Sequence, residues 1–159
     1  MAFTISIGGD ERPLTGHDRD ELATYIVDVA CSRAEFLILT NEKTSEYIQC
    51  ADAYGRLVVE RRDRRGAAFV QSRIVRKAGS REKLPPRVEG YEGYEKREVL
   101  DVEEVVRLFE NFMAGAGVEG EFEAVDVTQE YAEAAQAEEE QRSEAAPGIF
   151  GRIKKLFGR

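Results

Sequence analysis

The sequence predicts an α+β protein: an antiparallel sheet of five or six strands in a hairpin meander, two helices packed on one face, then an acidic linker and a C-terminal amphipathic helix. Three observations predict this. Short apolar runs between residues 35 and 75 are separated by four or five residues, the last two connections pairing Asp with a closing Gly. A parallel crossover needs a dozen residues or more, so such neighbours must be antiparallel. Two stretches, one starting near Asp18 and one at Asp101, place apolar residues at helical period. A chain of 159 residues also suits one domain of common size.

The elements follow in order. Residues 2–7 form a first strand, with Phe3, Ile5 and Ile7 on one face, and Gly8-Gly9 ends it. A helix starts at about Asp18, where Asp18 and Glu21 stand at capping-box spacing. Leu22, Tyr25, Ile26 and Val29 share its apolar side. The continuous apolar run 36–40 is the pattern of a central strand covered on both faces. Strands at 46–51, 56–61 and 67–75 follow, joined by Asp-Ala-Tyr-Gly and Asp-Arg-Arg-Gly turns. Residues 77–93 read as an exposed loop, and 94–100 as a charged edge strand. Asp101 caps a helix over 102–113, with Val105, Val106, Phe109 and Phe112 on its buried face. Residues 119–127 alternate well enough for a last short strand.

Composition divides the chain. Hydrophobic residues make up 42% and charged residues 34%, against usual values of ~45–50% and ~25%. That balance indicates a folded core of about residues 1–127 with solvated appendages. Residues 128–147 are rich in Ala, Glu and Gln and read as a linker or a solvated helix, since little in them can offset the entropy of ordering. No apolar run approaches the ~20 residues of a membrane span. The first residues lack the basic and apolar regions of an export signal. Cys31 and Cys50 form no framework and read as reduced core residues. A cytoplasmic place is therefore expected, with a peripheral one at the inner membrane face open through the tail.

Catalytic signatures are missing from the sequence pattern. His17 is the only histidine, so no histidine cluster is available to a metal, and a nucleophile–histidine pair would have to be built around it. Gly8-Gly9 opens no phosphate-cradling loop. The expectation is a non-enzymatic binding protein with no cofactor, no metal and no catalytic residue.

Charge is strongly segregated. Residues 56–87 carry +8, whereas 119–147 carry −9 and 148–159 carry +4, within a net charge of −8. Arg61, Arg62, Arg64 and Arg65 crowd one predicted hairpin turn and Arg73 lies on the next strand. These are the candidate partner-binding residues. They suit an acidic protein surface or the chain's own acidic segment. Nucleic acid is disfavoured by the acidic net charge and by the lack of aromatics interleaved with the arginines. A solvated turn contributes little to stability, so all four turn arginines are expected to be removable without unfolding.

The tail carries a second candidate site. On a helical wheel Ile149, Phe150, Ile153, Leu156 and Phe157 fall within about 120°, with Arg152, Lys154 and Lys155 on the remainder. An apolar stripe backed by cations suits an anionic membrane surface, an acidic groove on a partner, or the chain's own domain.

The runs 35–40, 46–51 and 55–61, followed by the 100–109 segment, resemble small bacterial immunity-type proteins of polymorphic toxin systems. That resemblance, over about residues 35–114, implies a protein that neutralises a co-produced toxin by covering its active site. The acidic linker and cationic tail depart from it. The size, acidity and α/β plan are also similar to those of small bacterial secretion chaperones, which implies an effector as partner. Function is thus expected to be specific protein binding, with toxin neutralisation leading and secretion-chaperone or membrane-adaptor work second.

Overall fold

The computed structural model describes residues 2–53, 55–86 and 93–144. Its centre is a seven-stranded sheet, one or two strands larger than expected, in the order β2-β1-β3-β4-β5-β6-β7. The strands are β1 Phe3–Ile7, β2 Asp10–Pro13, β3 Phe36–Asn41, β4 Tyr47–Ala53, β5 Arg56–Arg65, β6 Ala68–Arg76 and β7 Phe122–Asp126. Every pairing is antiparallel. The helices are α1 Gly16–Asp20, α2 Leu22–Ala30, α3 Val102–Met113 and α4 Thr128–Glu144.

The strand missing from the sequence reading is β2. Gly8 and Gly9 both hold positive φ, 58° and 99°, which is the backbone of a two-residue hairpin turn open to glycine. The chain therefore folds straight back on β1. The returning strand ends in Pro13, which suits an edge position because its missing N–H faces away from the ladder. Helix capping also moves. Thr15 is the N-cap, its side chain accepting from the Asp18 N–H, and Asp18 accepts in return from the Thr15 N–H at 2.9 Å. Asp18 is the third helical residue of that box and not its start.

The two longer helices of this unit cover one face of the sheet. Leu22, Ile26 and Val29 of α2 and Val105, Leu108, Phe109 and Phe112 of α3 are buried against Ile5, Leu37, Leu39, Ile48, Val59 and Ile74. Asp101 caps α3 as expected, with Glu104 closing the reciprocal bond to the Asp101 N–H at 2.8 Å. Of the two cysteines expected in the core, only Cys50 is buried; Cys31 is exposed where α2 ends. Burial pushes the Cys50 thiol up to about 12.

Residues 94–100 do not make a strand. They form a 3₁₀ turn, Lys96–Glu98, held by isolated bridges Lys83↔Glu95 and Leu57↔Leu100. Leu100 takes the ladder position beside Leu57 that β6, paired only as far as Val59↔Ile74, leaves vacant. Gly93 lies so close to the Leu84 carbonyl oxygen that a Cβ there would collide with it, so this doubled-back loop needs glycine.

The chain divides into two compact units, Met1–Val127 and Thr128–Arg159. Helix α4 belongs to the second. It is mostly exposed, with a Gln129–Glu133 hydrogen bond of 2.9 Å one turn apart. Among the described residues no helix is long and apolar enough to cross a membrane.

Candidate docking face

Among the described residues of its unit, no α-helix lies on the side of the sheet opposite α2 and α3. Strand register sets what it presents, since alternate side chains share a face and neighbouring strands lie roughly 4.8 Å apart. One row across the sheet reads Thr4, Thr40, Tyr47, Arg62, Gln71. The next reads Ser6, Ile38, Gln49, Glu60, Arg73, Val125. Phe36 and Ala51 begin a third.

The face has two halves. Over the β5–β6 end lies the 93–100 loop, where Ala53, Val58 and Val99 form a small buried cluster with Leu84 and Tyr94 against it. Below it, Glu60 Oε1 accepts from Arg73 Nε at 3.2 Å and Nη2 at 3.0 Å, and Oε2 accepts from Gln49 at 3.1 Å and Gln71 at 3.3 Å. Arg73 also reaches Glu98 of the loop at 3.1 Å and lies under the Tyr94 ring. Burial opposes the Arg73 charge, but Glu60 and Glu98 outweigh it and hold its pKa above the ordinary value.

Among the described residues of Met1–Val127, no helix covers the β1–β3–β4 half. Residues 36–40 were expected to be covered on both faces, yet β3 alternates: Leu37 and Leu39 are buried, while Phe36, Ile38 and Thr40 are half-buried. Tyr47 stands beside them, donating to Gln71 at 2.9 Å, and burial pushes its phenol upward. Two apolar side chains therefore remain partly in water where an outer strand face ordinarily carries polar ones.

The arginines separate because β5 runs through to Arg65. The turn is only Gly66-Ala67, with Gly66 at φ +63°, the backbone of a II′ hairpin with glycine first. The pleat then sends the four arginines to different places. Arg61 points to the helix side: its Nε donates to Asp63 at 2.7 Å, its Nη1 to the Ala116 carbonyl at 2.9 Å, and its guanidinium covers the Phe112 ring. It ties the end of α3 to β5, so the solvated-turn argument does not apply to it. Arg62 and Arg64 face outward, and Arg64 and Arg65 are exposed. Arg62 lies 3.9 Å from the Phe69 ring centroid and 5.8 Å from that of Tyr47. Beyond the Arg62–Gln71 pair neither β4 nor β7 flanks the hairpin, which continues as a two-stranded arm with Arg62 at its base.

Sequence reasoning found the arginines and missed Tyr47, Phe69, Glu60, Gln49 and Gln71. The signal was the alternation within 47–51 and 58–62, readable only once β5 is extended past Arg61. Ile149, Phe150, Arg152, Ile153, Lys154, Lys155, Leu156 and Phe157 lie outside the described residues. Among the described residues no three metal-binding side chains are grouped. Comparison with known proteins finds no matching family model, no matching curated protein and no matching solved structure.

Proposed function

We propose that this chain is a non-enzymatic protein-binding module that docks a partner with an acidic surface on the open half of its sheet, with neutralisation of a cognate bacterial toxin as the leading instance. The observation that carries the reading is Phe36 and Ile38, apolar yet only half-buried on β3, beside Tyr47 and the outward arginines of the β5–β6 hairpin. A rigid antiparallel face with apolar residues at its centre and cations at one margin has the anatomy of a protein interface. The toxin assignment rests on the resemblance of residues 35–114 and gives the face an inhibitory task. Secretion-chaperone work would use the same face.

The test is co-expression with the product of the gene beside its own. A complex should form, and Phe36→Glu and Ile38→Glu should each dissolve it while the chain keeps its far-ultraviolet dichroism. If both folded variants bind as before, the open half is not the docking surface. If the neighbouring product is toxic and the chain fails to suppress that toxicity, neutralisation is lost as the instance.

A further inference from the structure

We infer that the anchor of this face is Arg62, and that its ligand is a carboxylate on an extended acidic segment of the partner protein. This rests on the docking reading above and adds the partner's chemistry to it.

The first ground is how arginines are satisfied across the structure. Arg12 pairs with Asp18, Arg61 with Asp63, Arg73 with Glu60 and Glu98, Arg76 with Glu104, and Arg97 with Glu95 and Glu123. Arg62, Arg64 and Arg65, close together at the β5–β6 hairpin, have no carboxylate partner among the described residues; Arg19, Arg56 and Arg81 share this, but of these six Arg62 is the one stacked over two aromatic rings. The acids nearest them are already engaged. Glu46 accepts from the Arg64 N–H at 2.9 Å and the Thr44 hydroxyl at 2.8 Å, and Glu60 is occupied by Arg73 and two glutamines.

The second ground is preorganisation. A guanidinium stacked on Phe69 and Tyr47 is restricted in rotamer while its in-plane N–H groups stay available, and that fork matches a carboxylate. Binding then costs less side-chain entropy than it would for a free lysine or arginine.

The third ground is spacing. Ile38 stands two strands and one row from Arg62, roughly 12 Å by strand spacing and rise. Three or four residues of extended chain cover about that distance. A segment carrying an acid and, three or four positions on, a large apolar side chain would reach both. Single-stranded nucleic acid fits less well. The structure does interleave aromatics with the arginines, contrary to the sequence reading, but Arg62 already covers the Phe69 ring at 3.9 Å, and stacking needs an uncovered ring face. The net charge of −8 also opposes phosphate chains.

The experiment titrates the full chain, followed by NMR shift mapping, with a glutamate peptide carrying leucine at every fourth position. The same peptide with lysine for glutamate and an oligothymidylate serve as rival probes. The glutamate peptide should shift Thr40, Tyr47 and Arg62, and its affinity should fall with added salt. Arg62→Gln should weaken it about tenfold or more. Arg62→Lys, which keeps the charge and loses the planar fork, should fall between. Arg64→Gln with Arg65→Gln should flatten the salt dependence and leave the shifted residues the same. Unchanged affinity in folded Arg62→Gln overturns the inference and leaves the docking face standing. Equal or tighter binding of the lysine peptide or the oligothymidylate at this face also overturns it. Shifts confined to α2 and α3, or none at millimolar peptide, remove both the anchor and the docking reading.

Discussion

Replacing Glu60 by Ala should be among the most destabilising changes on the outer face. The carboxylate is 6% exposed and accepts from both Arg73 and two glutamine amides. Truncation leaves the Arg73 side chain, itself 15% exposed, with Glu98 as an ion-pair partner among the described residues. Removing one member of a buried pair costs about 3–5 kcal/mol. Retention of Glu98 reduces this to about 2–4 kcal/mol, because Arg73 keeps part of its compensation. With a urea slope of about 1–3 kcal/mol/M for a domain of this size, the midpoint should fall by roughly 1–2 M at unchanged slope. Glu60→Gln keeps the volume but turns an N–H₂ toward groups that are themselves donors, and should cost about half as much. A double-mutant cycle with Arg73→Leu should return at least about 1 kcal/mol of coupling. Glu110, exposed on α3, is the control, and its Ala variant should lie within about 0.5 kcal/mol of wild type. If Glu60→Ala matches Glu110→Ala, the polar network does not hold the loop and sheet together, and the argument fails.

Phe109, fully buried beneath the sheet, should lose about 3–5 kcal/mol on truncation to Ala, read by the same urea titration. The Thr15 hydroxyl and N–H, aided by Arg12 and Tyr25, hold the Asp18 carboxyl well below the usual carboxylate range. A folded pKa below the unfolded value of about 3.9 stabilises the fold above that pH, and the benefit is lost as pH falls through and below it. Urea midpoints on either side of about pH 4 should therefore differ more for wild type than for Asp18→Asn; equal differences would refute the capping role. Thiol titration should count one reactive cysteine in the native chain, the exposed Cys31, and two in denaturant, when buried Cys50 opens. Fast native labelling of both would show the core to be looser than described.

The local chemistry of most elements is written in the sequence. The hairpin turn closed by Gly55, the Asp101 cap and the apolar stripe of 102–113 each act within one or two turns of chain, so neighbours alone decide them. The α+β class and the antiparallel sheet follow from those connections. Three features needed the pairing between strands and not composition or period alone. Strand β2, with a charged sequence ending in proline, forms because the Gly8-Gly9 turn returns it to β1. The length of β5 is set by pairing with β6 through Arg65↔Ala68. That extension, and not the identity of the arginines, distributes them by pleat between the two faces. The 94–100 segment looked like a strand by composition and became a 3₁₀ turn at Lys96–Glu98, closed by the Glu95 N–H to Glu98 bond at 2.6 Å, with Glu95 and Leu100 each making a single bridge.

What the sequence determined alone is the inventory: hairpins, two amphipathic helices, one of them with its cap, a basic hairpin and an acidic segment following the domain. What only the tertiary structure decided is which of those charges and apolar groups remain available to a partner. A side chain's partners across a sheet are set by register, and register belongs to the pairing of strands and their turns, not to any one strand's own sequence. Hence Arg61 and Arg73 are committed within the fold, while Phe36, Ile38 and Arg62 stand on its open face.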